Sequence, residues 1–217
     1  MNQDKKLLEK DFDGEHKQQT TKQPFRKLKL QVQMSIDGYI AGPNGEMDWL
    51  AWNWDDKLKK YVNELTESAD RILLGRKMTE GFISYWSDVM VKSDHSDHAF
   101  AKKMIETPKV VFTKTLNKSK WVNTDIATGD LTDEINKLKR QEGKDIIVYG
   151  GASFDSSLIK AGLIDEFHLF VNPVAIANGM TIFKDLNETQ KFTLVKSIAF
   201  DCGIVLLHYE PKKESLT

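Results

Sequence analysis

The chain has 217 residues, 40% hydrophobic and 29% charged, with a formal net charge of -1. That is enough apolar material for one large globular domain, and so even a charge balance gives no electrostatic case for nucleic acid or an anionic membrane as partner. A single cysteine, Cys202, excludes an internal disulfide framework and a thiolate zinc cluster, the five histidines show no metal-ligand spacing, and no apolar run is long enough to span a bilayer, so a reducing cytoplasm is the expected compartment.

From Met1 to Pro24 the sequence is charged and amide-rich, with only Leu7, Leu8 and Phe12 to bury. Such a stretch does not offset its own ordering entropy, so residues 1–24 read as a mobile extension with a short helix near Lys5 to Phe12. Residues 25–212 read as one domain without a linker or an internal repeat. Apolar runs predict strands at Leu28 to Ile36, Arg71 to Leu74, Lys109 to Thr113, Asp145 to Tyr149 and Glu166 to Val171. Segments of helical period fall at Asp55 to Ser68, Ala99 to Glu106, Thr132 to Gln141 and Phe154 to Ala161. Short strands separated by helices predict a mainly parallel sheet covered on both faces. The end of the chain, "FTLVKSIAFDCGIVLLHYE", has two strand-like runs about a Phe-Asp-Cys-Gly turn, which predicts a hairpin and an antiparallel edge. The expected fold class is therefore α/β, a three-layer α/β/α sandwich on a mixed, mainly parallel sheet.

Three strand ends carry residues suited to phosphate. In "IIVYGGASFDSSLI", Gly150 and Gly151 stand between a buried strand and a helix, where backbone N–H groups and the helix dipole favour an anion. The same pair also suits a tight turn with close packing of strand on helix, and this stretch alone does not choose between the two. It is no Rossmann fingerprint, because the third glycine is missing and the motif comes late in the chain. "RILLGRKMTEGF" places Gly75, Arg76 and Lys77 after a second strand, and "VVFTKTL" ends a third with Thr113 and Lys114. If a parallel sheet gathers these three carboxyl ends on one side, they surround a ligand with several phosphates.

Taken in order, "SIDGYIAGPNGEMDWL", "LLGRKMTEGFISYW", "VVFTKTL" and "VYGGASFDSSLIKAGLIDEFHLFVNPV" resemble the dihydrofolate reductase-like family, which includes the reductase domain of bacterial riboflavin biosynthesis. The resemblance covers about Lys27 to Glu210. It implies a dihydrofolate reductase-like sheet with NADPH across its carboxyl edge. By the same resemblance, Gly150 and Gly151 receive the pyrophosphate with Ala152, Ser153 and Phe154 in the first helical turn, and a cis peptide joins the two glycines. Gly75, Arg76 and Lys77 hold the phosphates and the adenosine end, and Thr113 and Lys114 bind the 2′-phosphate that favours NADPH over NADH. Where many members carry a threonine, this chain has Met78, with Thr79 one residue on. Ile40 and Ala41 fall beside the nicotinamide, and a homodimer is implied.

The substrate side departs from the pattern. Reduction by hydride transfer needs a proton donor, and the family's acid immediately precedes a leucine and lies four residues before an aromatic. Leu58 and Tyr61 match those neighbours, which puts Lys57 at the acid's place and Asp56 one residue short. Asp56, Asp55 and Asp48 are the candidate catalytic residues, and Trp49 is a candidate wall for a flat substrate, with Trp52 and Trp54 close by. Asp55 and Asp56 equally suit a helix start, where acidic charge complements the dipole. His168 in "DEFHLFV" reads as a sheet-layer or subunit-contact residue, and Asp37 with Gly38 as a turn. The expectation is an NADPH-dependent reductase of a small heterocyclic, pterin- or pyrimidine-like substrate, without metal. Two alternatives stand beside it. One is the riboflavin-pathway 5-amino-6-(5-phosphoribosylamino)uracil reductase, weakened because no His/Cys zinc signature of a deaminase occurs in the chain. The other is a non-catalytic NADPH-binding protein.

Overall fold

The computed structural model describes residues 25–212. The expected extension over residues 1–24 and its short helix lie outside the described residues. The chain forms β1 (Leu28–Ser35), α1 (Asp56–Glu67), β2 (Ala69–Gly75), α2 (Arg76–Met90), α3 (His98–Glu106), β3 (Lys109–Phe112), β4 (Thr124–Ala127), α4 (Leu131–Lys139), β5 (Asp145–Gly150), α5 (Ala152–Lys160), β6 (Glu166–Asn172), β7 (Phe192–Ala199) and β8 (Val205–Pro211). The sheet order is β4-β3-β2-β5-β1-β6-β8-β7. Pairings from β4 through β6 are parallel, and β8 pairs antiparallel with both β6 and β7. The predicted mixed sheet with a terminal hairpin is thus present.

Strand alternation sorts the apolar residues into two layers. Leu28, Leu30 and Val32 of β1, Ile146 and Val148 of β5 and Phe167 and Leu169 of β6 meet Ile135 and Leu138 of α4 and Leu158 and Ile159 of α5. On the other face, Ile72 and Leu74 of β2 and Ile147 of β5 pack against Leu65 of α1 and Met104 of α3, while Phe170 and Leu206 meet Leu58 and Val62. The apolar spacing of α1 at Leu58, Val62 and Leu65 gives it one buried stripe. These layers make the three-layer sandwich. The hairpin closes at Phe200 to Gly203, where Gly203 supplies a φ of 90° and Phe200 N–H donates to the Ile204 carbonyl. One strand escaped the sequence pattern: β4, four residues beside β3.

Because β3, β2 and β5 are parallel neighbours, their carboxyl ends emerge side by side. The geometric condition set on the three phosphate-suited motifs is met. The peptide between Gly150 and Gly151 is trans, since no cis bond occurs among the described residues, which corrects the expected cis bond. Both glycines instead take positive φ, 104° and 111°, and so turn the chain from β5 into α5 by a route open to glycine.

Candidate active site

Two helices begin at adjacent strand ends. Gly75 is the N-cap of α2 and Gly151 the N-cap of α5, and neither helix has a side-chain cap. By contrast α1 is capped by Asp55 and α4 by Asp130. At α5 the N–H groups of Phe154 and Asp155 donate to the Gly151 carbonyl, while those of Ala152 and Ser153 precede the first helical acceptor. The two N-caps touch: a Cβ on Gly75 would lie 2.9 Å from Phe154 Cβ, 3.3 Å from the Gly150 carbonyl oxygen and 3.6 Å from Gly151 Cα. Apart from Phe154 Cβ, the atoms nearest a Cβ on Gly75 are backbone atoms of Gly150 and Gly151. Two dipole ends and free N–H groups in one place suit a doubly charged linear anion such as a pyrophosphate.

The flanking side chains differ in availability. The Arg76 guanidinium lies over the Trp121 ring at 5.6 Å, and Lys77 is exposed. The Thr79 hydroxyl donates to the Gly75 carbonyl at 3.0 Å, so it stabilises the helix start from within and Met78 packs inward. Lys114 Nζ donates to the Thr128 and Gly129 carbonyls at 3.0 Å each. An ammonium has three donors, so one remains. Thr113 is buried and its hydroxyl oxygen accepts from Thr115 N–H at 3.1 Å. Phe112 and Phe154 stack at 4.9 Å and tie the β3 end to α5.

Beyond the ends of β1 and β6, Ile40 N–H donates to the Met180 carbonyl and Met180 N–H to the Ala41 carbonyl, both at 2.8 Å. Ile40 and Ala41 are therefore fixed by a strap from the segment after β6. Gly179 makes that approach possible, because a Cβ there would fall 2.2 Å from the Ala41 oxygen. The tryptophan loop is anchored by Asn172, fully buried, whose Oδ1 accepts from Ala51 N–H at 3.3 Å. Trp49 Nε1 donates to the Glu46 carbonyl and Trp54 Nε1 to the Ala51 carbonyl, and the Trp52 and Trp54 rings stack at 6.3 Å.

The three candidate acids separate clearly. Asp55 accepts from Leu58 N–H at 2.8 Å and from Cys202 N–H at 3.1 Å, so one oxygen caps α1 and the other holds the β7–β8 turn. The Leu58 N–H, seconded by Cys202, holds its carboxyl below the usual carboxylate range, the reverse of what a proton donor near neutral pH needs. Asp48 and Asp56 are exposed, Asp56 in the first turn of α1.

Two polar groupings had no signal in the sequence. Asp155, in the first turn of α5, is fully buried beneath Gly150, and neither carboxyl oxygen has a hydrogen-bond partner among the described residues. Burial pushes its pKa well above the ordinary aspartate value. A neutral carboxyl there does not oppose an anion at the same helix end. The second grouping is Glu166, His168 and His208, drawn together by the register that sets His168 opposite His208. Burial pushes Glu166 up, but hydrogen bonds from His168 and Lys27 and the charges of Lys29 and Lys27 outweigh it and hold the carboxyl at about 2. The sequence spacing of the histidines, with 39 residues between these two, hides this convergence.

The RibD C-terminal domain family model matches residues 26–206. The chain is 33% identical over 187 residues to the uncharacterized protein YyaP of Bacillus subtilis strain 168, covering 85% of this chain and 94% of YyaP. Among solved structures it is similar to a Shewanella sp. PV-4 protein named for riboflavin biosynthesis, with 21% identity, a TM-score of 0.66 and coverage of 87% of this chain and 99% of that one. It is also similar to the Thermotoga maritima diaminohydroxyphosphoribosylaminopyrimidine deaminase/5-amino-6-(5-phosphoribosylamino)uracil reductase, with 19% identity, a TM-score of 0.60 and coverage of 87% and 57%. These structural likenesses fix the fold as the dihydrofolate reductase-like sandwich. Among the described residues, no helix is long and apolar enough to cross a membrane.

Proposed function

Because the chain belongs to the RibD C-terminal domain family, we propose that it is an NADPH-dependent reductase of a small heterocyclic, pyrimidine- or pterin-like substrate. The observation that carries this reading is the contact of two uncapped helix N-termini through Gly75 and Gly151. The N–H groups of Ala152 and Ser153 and the two dipole ends suit the cofactor's pyrophosphate. Arg76 and Lys77 flank it toward the adenosine end. Thr113 and the remaining donor of Lys114 suit the 2′-phosphate, and the strapped Ile40 and Ala41 border the nicotinamide. When bound, NADPH supplies the hydride. Trp49 offers a flat wall to the substrate, and Asp48 and Asp56 are the exposed acids from which a proton is passed or relayed. A homodimer belongs to the same reading, supported by the edge strand β7, on which Leu194 and Val195 are half exposed.

A second reading, non-catalytic NADPH binding, is favoured by Asp55, whose two oxygens serve as cap and tether. One experiment separates the two. Calorimetric titration with NADPH and NADH is followed by cofactor oxidation over a panel of pterins, pyrimidines including 5-amino-6-(5-phosphoribosylamino)uracil, and quinones. Tight NADPH binding with turnover of a heterocycle supports the reductase. Binding without any turnover supports the second reading, and no NADPH binding overturns both. Lys114→Gln should weaken NADPH more than NADH, by about 1.5 to 3 kcal/mol for a charge-assisted contact. Equal losses remove Lys114 from the 2′-phosphate.

A further inference from the structure

We propose that Glu166, His168 and His208 form a binding site for a divalent transition-metal ion of the zinc class, which clips β8 to β6. Glu166 and His168 alternate on one face of β6, and His208 stands directly opposite His168 on β8. Their ligand atoms converge within 4.8 Å of one another: Glu166 Oε2 shares a hydrogen bond with His168 Nε2 at 3.2 Å, which an ion would replace, and lies 3.6 Å from His208 Nε2. A tetrahedral ion with bonds of about 2.0–2.1 Å sets its ligand atoms about 3.3 Å apart, so these separations need little adjustment. The two imidazoles are stacked, with ring centroids 4.2 Å apart and planes 18° from parallel, so one ring turns for both Nε2 lone pairs to meet on one ion.

The surrounding groups engage the far atoms, so that an ion would displace only the hydrogen bond between His168 and Glu166. The Tyr61 hydroxyl engages His168 Nδ1 at 2.9 Å, and Lys27 Nζ donates to Glu166 Oε1 at 2.6 Å, so the far atom of each residue is occupied and Nε2 and Oε2 face the gap. Partners of this kind orient a ligand and fix its tautomer. His208 Nε2 is buried and has no hydrogen-bond partner among the described residues. An ion supplies that missing partner, and a buried polar atom without one is uncommon in folded proteins. Two imidazoles and one carboxylate select zinc, cobalt or nickel over calcium and magnesium, and three protein ligands leave a fourth position for water. Nearby cations act against a dication, but Lys29 Nζ is held by Asp145 at 2.8 Å and Ser68 at 2.9 Å, and lies 4.0 Å from Glu166 Oε2. Lys196 is placed over the Tyr61 ring at 5.9 Å. Glu166 opens β6, so the site sits at the amino end of the strand, opposite the phosphate-suited edge. The ion therefore serves the join between the parallel sheet and its antiparallel edge.

The full chain, made without a histidine tag and dialysed against a chelator, is titrated with Zn2+ alone and with Co2+ alone. The site predicts uptake of one equivalent, intense visible d–d absorption of tetrahedral Co2+, and a thermal midpoint that rises with Zn2+ concentration. His208→Gln should lower the affinity by at least tenfold and abolish the Co2+ spectrum, and Tyr61→Phe should weaken binding about tenfold through the loosened His168. Because Co2+ absorption is read first on the unaltered protein, a variant that fails to fold does not blunt the test. Absence of the tetrahedral spectrum overturns the site. Equal Zn2+ uptake by the unaltered protein and a folded His208→Gln variant overturns it as well, and assigns the metal to surface groups such as His95 and His98.

Discussion

Gly75 and Gly151 lie face to face at the ends of adjacent strands, so that a Cβ on Gly151 would sit 3.5 Å from Gly75 Cα. The sequence leaves Gly150 and Gly151 as either a tight turn or an anion site, and substitution at this contact separates the two readings. Gly75 has an ordinary φ of -72°, so Gly75→Ala adds no backbone strain, only a methyl group 2.9 Å from Phe154 Cβ. That methyl pushes the α5 start away from the α2 start. NADPH affinity should fall tenfold or more while the circular dichroism spectrum stays native. Gly151→Val should lose affinity too, with a further stability cost of about 1–3 kcal/mol because its φ is 111°. Unchanged NADPH affinity in folded Gly75→Ala would reduce the pair to a packing device.

Asp155 gives a prediction with a definite sign. Its folded pKa lies well above the unfolded 3.8, so folding takes up a proton and stability declines as pH rises above 3.8 toward the folded value. Asp155→Asn keeps the shape and removes the ionisation. The variant should be more stable near pH 8 by about 1–3 kcal/mol, the range for a poorly satisfied buried polar group, and its denaturation midpoint should change less with pH. Urea melts of both proteins at pH 5 and pH 8 measure this. Parallel pH dependence in the two proteins would mean that the carboxyl is paired in solution.

How much of this was legible in the sequence follows from how local each feature is. The strand-to-helix junctions were legible because Gly75 and Gly150–Gly151 interrupt buried runs within a few residues. The first cap of α1 was legible as a charge, but its tether was not, since Cys202 is brought to Asp55 by the β7–β8 turn. β4 was missed because Thr124–Ala127 is four residues long, too short for a period to show. The strap from Gly179 and Met180 and the Glu166, His168 and His208 cluster are products of register, which no short window contains.

Lys109 and two tyrosines set opposite slopes at alkaline pH. Lys109 is 1% exposed, with Nζ donating to the Ile105 and Thr107 carbonyls at the end of α3, and burial lowers its pKa to about 8. Because the folded state disfavours the charged amine, its cost is full below pH 8 and is relieved as pH rises toward the unfolded value of 10.5. Burial raises Tyr61 to about 12 and Tyr149 further still, so their contribution is full below pH 10 and is lost above it. Stability should therefore climb between pH 8 and 10 and then fall. Lys109→Met should remove the rising limb and leave the falling one. A monotonic loss from pH 8 in the unaltered protein would contradict the Lys109 assignment.

The last prediction concerns the proton. Asp55 is spoken for by Leu58 and Cys202 N–H groups, so Asp55→Asn should cost about 1 kcal/mol of stability through the weakened cap and tether, and leave turnover nearly unchanged. Asp48 and Asp56 are exposed, Asp48 next to Trp49 in the tryptophan loop and Asp56 in the first turn of α1, and the proposed reductase draws its proton from one of them. If either acts as the general acid, its asparagine variant should lose 100-fold or more in turnover with NADPH affinity intact, since the acid faces the substrate and not the phosphates. Activity of the unaltered enzyme should fall as that acid ionises, and the fall should vanish in the inactive variant's residual rate. Binding and reduction are measured separately for each of the three variants. Full activity in all three would move the proton source to water or another group. The Asp55 result alone also decides a structural point: loss of turnover at Asp55 with stability preserved would mean that its cap opens when substrate binds, and that a shift of the loop before α1 bridges the two residues between Asp55 and the family's acid position, held here by Lys57.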